Sequence, residues 1–188
     1  RITVRFFGGW DYDATDASAP DLARTGYAGG VPMGGEIGPG KMGAAPRFLV
    51  AAQRDPAGAT LDRIQIIKGW LDDRGDTHEK VYDVVWAGGE RQPGNDDKLP
   101  PVGNTVDLAN ATWHNSIGAP ELATVWEDPD FDPGQRAFYY VRVLEIPTPR
   151  WTAYDAVRFD VDMPERVRKI TQERAYTSPI WYRPEGSR

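Results

Sequence analysis

The chain has 188 residues, enough for one domain with a sizeable hydrophobic core. Its 22 Lys and Arg against 28 Asp and Glu give a net charge of −6 at pH 7, which disfavours a general nucleic-acid binder or a binder of anionic membranes. It has no cysteine, which excludes disulfides and thiolate chemistry, and no window approaches the roughly 18 consecutive apolar residues that a membrane span requires.

The composition and the first residue also bear on fold class and completeness. The 20 glycines and 16 prolines cluster between short apolar runs, which favours a mainly β domain with long loops over a helical one. The chain begins at Arg1, with neither an initiator Met nor a signal peptide, so we expect it to be a fragment or a processed chain.

The first 53 residues predict two strands around a long irregular segment. Residues 2–7 alternate Ile, Val and Phe with Thr and Arg, the pattern of a strand. Residues 10–45 are rich in Asp, Ala, Gly and Pro and predict a long loop excursion, with at most one helical turn at residues 21–24 capped by Ser18 or Asp21. Residues 47–53 predict the second strand.

The middle of the chain predicts a β-hairpin and a weaker strand. Residues 61–70 and 80–87 are apolar runs separated by residues 71–79, in which the sequence Asp-Arg-Gly-Asp at residues 73–76 suits a turn. Residues 104–113 carry Val106 and Leu108 at a spacing of two, which indicates a fifth strand.

The last third contains the clearest strand. Residues 120–126 predict a short helix, because proline stands near its first position and glutamate in its first turn. Residues 138–146 alternate cleanly and predict a central strand, which Pro147 and Pro149 end. Residues 172–182 predict the last strand, with a bulge or an edge position at Pro179.

Together these elements predict a single domain over residues 1–188, an Ig-like β-sandwich of about seven strands with long loops and one or two short helices.

The acidic clusters raise the question of a metal site. Asp128, Asp130 and Asp132 alternate with Pro and Phe and could offer carboxylate oxygens to a hard cation such as Ca²⁺. The segment lacks the glycine and glutamate of an EF-hand loop, so the simpler interpretation is a turn, with metal binding as the less favoured alternative. Asp11, Asp13 and Asp16 form a similar cluster.

Neither histidine stands in a metal-binding or catalytic spacing. His78 and His114 do not form an HExxH pattern, and no GxSxG motif supports a catalytic triad. We therefore predict no catalytic residue in this chain.

A glycine-rich segment is a candidate docking loop. It lacks the Gly-Lys-Ser/Thr ending of a phosphate-binding loop, and its proline removes one backbone donor. We interpret it as a conformationally demanding loop that packs against another surface. Its residues are Gly30, Val31, Pro32, Met33, Gly34, Gly35 and Glu36.

The seven tryptophans suggest a second kind of site, since exposed aromatic rings can stack on sugars. Trp70, Trp86 and Trp181 stand in strand patterns and are predicted to be core residues. Trp10, Trp113 and Trp151 lie in or beside loops and are the candidates for ligand stacking.

Seven segments carry a family resemblance. They are RITVRFFGGWD, GVPMGGE, LDRIQIIKGW, EKVYDV, DPDFDP, AFYYVRVLEIPTPRW and ERAYTSPIWY. In this order they resemble the C-terminal part of the bacterial domain-of-unknown-function family numbered 3604. The resemblance implies a longer, exported or periplasmic parent protein with an upstream PHP-like metal-dependent phosphoesterase barrel.

A PHP barrel binds its metals through motifs such as HxH, which do not occur here. The resemblance therefore implies that the divalent metal and the catalytic centre belong to the upstream barrel, and that this chain holds no cofactor.

Three functional hypotheses follow. The preferred one is a non-catalytic C-terminal accessory domain of a larger PHP-like hydrolase, whose partner is its own upstream barrel. The alternative is a β-sandwich module that binds a carbohydrate or cell-envelope ligand. A third is a hydrolase with two carboxylates roughly 5 to 9.5 Å apart in a cleft. The substrate of the parent and the oligomeric state stay open.

Overall fold

A computed structural model describes residues 1–41, 43–72, 74–94 and 98–186. The fold is mainly β, with 38% strand and 12% helix, and sandwich-like, which confirms the predicted mainly β sandwich class. The strands are β1 (Thr3–Gly9), β2 (Gly30–Pro32), β3 (Glu36–Ile37), β4 (Arg47–Gln53), β5 (Leu61–Leu71), β6 (Thr77–Trp86), β7 (Glu121–Glu127), β8 (Ala137–Glu145), β9 (Thr148–Pro149), β10 (Ile170–Thr171), β11 (Arg174–Tyr176) and β12 (Ile180–Tyr182). The helices are a 3₁₀ helix (Ala14–Ser18), α1 (Leu22–Gly29) and α2 (Trp151–Phe159).

Two sheets form the sandwich. The first has the order β2-β1-β4-β7, with every pair antiparallel. The second has the order β3-β12-β8-β5-β6. Strand β11 also pairs with β8, at residues 142–144, further along that strand than β12. Strand β8 is central in this sheet, as its sequence predicts, and β9 pairs with β10 as a small separate ribbon.

The core lies between the sheets and forms because each strand sends alternate apolar side chains inward. Phe48 and Val50 of β4 face Ile66 of β5 and Tyr139 of β8. The rings of Phe48 and Tyr139 are 4.4 Å apart between centroids, so the sheets are in direct contact. A smaller cluster around Tyr12 and Leu49 lies on the other face of the first sheet.

The predicted hairpin is confirmed as β5 and β6, which pair over their length with one irregularity at Ile64/Gln65. Of the predicted turn, Asp73 lies outside the described residues, and Asp72 accepts the backbone N–H of Arg74 and Asp76. In the last segment, β11 and β12 flank Pro179, so the predicted interruption is confirmed.

Two predicted elements are wrong. Residues 120–126 do not form a helix, because β7 pairs with all seven residues of β4 and its Leu122 and Trp126 reach the core. Residues 104–113 contain no strand, only the bridge between Asp107 and Thr112. The Asp107 carboxylate accepts the backbone N–H of Ala109, a local turn that competes with strand pairing.

The excursion at residues 10–45 contains regular structure that its composition does not predict. Asp13 caps the 3₁₀ helix in a capping box, and Asp21 caps α1, as one of the two predicted caps. Strand β2 then pairs with β1, and β3 pairs with β12. The excursion therefore supplies an edge strand to each sheet. Among the described residues, no helix is long and apolar enough to cross a membrane.

Candidate functional site

The outer face of the six-stranded sheet carries exposed and half-buried aromatic and apolar side chains. Strand alternation directs them away from the core, and we call them the aromatic face: Leu71, Val81, Phe138, Tyr140, Tyr176 and Trp181.

The aromatic rings of this face form a continuous row that runs from β12 across β8 to β11. Trp181 and Phe138 have centroids 5.3 Å apart, Phe138 and Tyr140 6.3 Å, and Tyr140 and Tyr176 6.3 Å. Trp181 is 50% exposed although its strand pattern predicts a core residue, so that prediction is wrong. The neighbouring Ile180 and Tyr182 point into the core instead.

Gly69 shapes the centre of this face. The strand register places it beside Phe138, in a row that runs from Trp181 to Glu79. A Cβ atom on Gly69 would lie 2.3 Å from Phe138 Cζ, so the missing side chain is what lets the Phe138 ring lie over β5.

A cleft of about 680 Å³ opens at one end of the aromatic face, and we call it the face cleft. Phe138 and Trp181 supply its apolar lining. At one side the Arg183 guanidinium donates to Glu36 at 2.9 Å in an exposed ion pair, and Glu79 lines the other side. The cleft thus combines aromatic rings with a charged rim.

His78 lies at the edge of the face cleft. Its ring stacks on Trp70 with centroids 5.4 Å apart, and its Nε2 lies 2.9 Å from Asp72 Oδ2. The hydrogen bond to His78 holds the pKa of the Asp72 carboxyl below its usual value. His114 is exposed and does not line the face cleft.

The predicted docking loop reaches the same cleft. Gly30, Val31 and Pro32 form β2, and Met33 packs against the core. Gly34 has a φ of +87° and donates its N–H to the Pro179 carbonyl, while the Gly35 carbonyl accepts the N–H of Trp181. Glu36 then enters the face cleft beside Trp181. Only the end of this segment is therefore part of the candidate site.

The three predicted stacking tryptophans do not form one surface. Trp10 is half-buried and packs edge-on against Phe131 and Tyr182. Trp113 and Trp151 line a different cleft together, at the end of the sandwich.

The acidic triplet of residues 128–132 is divided between the interior and the surface. Asp128 is fully buried, where its Oδ2 accepts from Lys68 Nζ at 2.6 Å and from the Tyr139 hydroxyl at 2.7 Å. Asp130 accepts from Lys80 and Tyr82, and the Lys80 contact holds its pKa low. Asp132 is exposed.

The Asp132 carboxylate accepts the N–H of Gly134 at 2.8 Å, and its carbonyl accepts the N–H of Gln135, as its turn interpretation predicts. The second acidic cluster is likewise engaged in local structure: Asp11 pairs with Lys41, Asp13 caps the 3₁₀ helix, and Asp16 accepts the Asp13 N–H. Within residues 1–41, 43–72, 74–94 and 98–186, no three His, Asp or Glu side chains are grouped to hold a metal ion.

Sequence reasoning missed the residues that define the aromatic face. The signal was present in β8, where Arg142 shares one face with Phe138 and Tyr140 and so indicates that this face meets solvent. The contribution of Gly69 and Trp181 depends on strand register, which the sequence does not specify.

The chain was compared with protein-family models, with curated proteins and with solved structures, and the first comparison found a match. A family model described as "Protein of unknown function (DUF3604)" matches residues 1–184. Neither the search of curated proteins nor the search of solved structures found a match. Because the match spans nearly the whole chain, this protein belongs to the DUF3604 family.

Proposed function

We propose that this chain is a non-catalytic accessory domain that binds a neighbouring domain of a larger protein through its aromatic face. From the family resemblance, that larger protein is an exported PHP-like metal-dependent hydrolase of unknown substrate, and the binding partner is its upstream barrel. The sandwich would then be an Ig-like module that packs against the barrel and shapes access to it.

The observation that carries the proposal is a contiguous set of aromatic rings on the outer face of a sheet, with an exposed ring at each end. Large exposed apolar patches with a polar rim mark interaction sites on soluble proteins, and Trp and Tyr are enriched at the energetic centres of interfaces. Trp181 and Tyr176 are each about half exposed, and Phe138 and Tyr140 connect them through ring contacts.

The charged rim adds specificity to this surface. Glu36 and Arg183 form an exposed ion pair at its edge, and Glu79 stands across the face cleft. Exposed charges of this kind steer association and exclude wrong partners more than they add affinity. Glu36 also belongs to the segment that the sequence predicts as a docking loop.

The test is a calorimetric titration of the 188-residue chain with the separately produced upstream segment of its parent protein. We expect saturable binding that Trp181→Ala weakens by about 2 kcal/mol, roughly 30-fold in Kd, as for a central interface tryptophan. Trp151→Ala is the matched control, because Trp151 is 61% exposed and lies outside the aromatic face. Equal weakening by both variants, or no binding by the wild-type chain, would contradict the proposal.

A further inference from the structure

A second aromatic cleft lies at the end of the sandwich, and we call it the end cleft. It has a volume of about 430 Å³ and is bounded by the end of β8, the β9–β10 ribbon and the start of α2. Trp113, Trp151 and Tyr154 line it, and the Trp151 and Tyr154 side chains are exposed. None of these three residues belongs to the aromatic face.

Two polar groups without internal partners line the same cleft. Glu145 and Thr148 are each 8% exposed. No described residue donates a hydrogen bond to the Glu145 carboxylate, and none bonds the Thr148 hydroxyl. Since no fully enclosed side-chain nitrogen or oxygen of the described residues lacks a partner, these oxygens reach solvent through the cleft.

Because an unmet hydrogen bond at a buried group costs about 1–3 kcal/mol, these two groups depend on the cleft for their hydrogen-bond partners. A residue that keeps such a group exposed only to a cleft has bonding capacity for a ligand. The next residue in the chain, Ile146, is apolar and fully buried, so an apolar side chain can fill this end of the sandwich.

The two polar side chains of the end cleft, Glu145 and Thr148, match a neutral hydroxylated ligand. Burial raises the pKa of Glu145, the N-terminal amino group opposes this shift, and the charges of Glu173 and Asp55 add to it. The Glu145 carboxyl accepts hydrogen bonds, and the hydroxyl of Thr148 donates one and accepts others. Sugar hydroxyls need this combination of donors and acceptors.

The walls match a sugar better than a cation. An ammonium ligand is held by aromatic rings closed around one point, whereas no ring contact of the described residues joins two of Trp113, Trp151 and Tyr154. The Arg150 guanidinium already lies 5.7 Å from the Trp151 centroid and would repel a cation there. Aromatic rings that stand apart can each stack on a different sugar ring of an extended saccharide.

We propose that the end cleft binds a saccharide, with sugar rings stacked on Trp113 and Trp151 and sugar hydroxyls bonded to Glu145 and Thr148. This site is separate from the aromatic face, so it does not rest on the docking proposal.

The test is isothermal titration of the 188-residue chain with hexasaccharides of glucose, mannose, xylose and N-acetylglucosamine. We expect at least one to bind at millimolar concentration or below, and Trp151→Ala and Trp113→Ala each to weaken it about 10-fold or more. Trp181→Ala is the control and leaves the affinity unchanged. Binding by none of the four, binding lost only in Trp181→Ala, or binding of choline in their place would overturn the proposal.

Two variants of Glu145 separate ligand binding from folding. Glu145→Gln keeps a side-chain acceptor of the same size and retains affinity within about 3-fold. Glu145→Leu removes the acceptor, so it abolishes binding, yet it raises the Tm of the free chain because no hydrogen bond to a described residue is lost. A lower Tm together with unchanged saccharide affinity would show that the carboxyl serves the fold alone and would overturn the assignment.

Discussion

Replacing Asp128 by alanine tests whether the acidic triplet serves the fold or a ligand. Asp128 and Lys68 are buried, and the 2.6 Å contact between them joins the segment after β7 to the centre of β5. The variant leaves the Lys68 ammonium with the Asp130 carbonyl, at 2.7 Å, as its remaining hydrogen-bond acceptor. It also removes the acceptor of the Tyr139 hydroxyl and of the Asp130 N–H.

The size of the effect follows from these contacts. Removing one partner of a buried ion pair costs about 3–5 kcal/mol, because the other charge stays buried and uncompensated. For a chain of this length each kcal/mol lowers Tm by about 2–4 °C, so we expect a fall of roughly 8–16 °C for a loss of about 4 kcal/mol. Urea unfolding followed by tryptophan fluorescence measures the change, with an unchanged m value as the sign that the folded state is intact.

Two controls accompany this prediction. Asp132→Ala removes one exposed hydrogen bond to the Gly134 N–H and should cost about 1 kcal/mol or less. Lys68→Met combined with Asp128→Leu removes the pair together and should recover most of the stability. A loss below about 1 kcal/mol in Asp128→Ala, or a Tm that rises with Ca²⁺ in the wild-type chain only, would refute the structural role.

Two further predictions concern Gly69 and Tyr12. Gly69→Ala places a Cβ 2.3 Å from Phe138 Cζ and should lower the free energy of unfolding by about 1–3 kcal/mol. A Cβ at Gly38 meets no atom within 4 Å, so Gly38→Ala should change the free energy of unfolding little. Equal effects of the two variants would contradict the packing argument. Burial raises the pKa of Tyr12 to about 12, while an unfolded tyrosine titrates near 10. The contribution of this shift to the free energy of unfolding is therefore complete below pH 10 and is lost as the pH rises through 12. Urea unfolding at pH 8 to 12 should show a shallower alkaline loss for Tyr12→Phe than for the wild type, and parallel curves would refute the assignment.

Local sequence signals predicted the strands whose faces differ clearly. The alternation of residues 138–146 and the apolar runs of β5 and β6 are periodic over eight or more residues, so their type was evident. The sandwich followed from these strands and from the turn residues between them.

Elements set by tertiary contact were not predictable in the same way. Glu121–Glu127 has a proline before it and the glutamate of a helix start, but pairing with β4 along all seven residues determines a strand. Helix α2 has no side-chain cap from Arg150 and leaves Trp151 exposed, so neither a cap nor a buried apolar stripe indicates it.

The candidate sites show the same division. The sequence identified Trp113 and Trp151 as stacking candidates, and the fold brings them to one cleft. It did not identify Glu145 or Trp181, because burial without a partner and exposure within a strand are properties of the packed structure. Glu145 in particular alternates with core residues and resembles any strand end.

We propose that this chain has no catalytic centre and acts by binding a neighbouring domain. The most direct measurement is phosphoester hydrolysis with added Mn²⁺ or Zn²⁺, compared between the 188-residue chain and the same chain carrying its upstream segment. We expect activity only in the longer protein, and a lower activity when Trp181→Ala weakens the contact between the domains. Chelator-sensitive hydrolysis by the 188-residue chain alone would contradict the account.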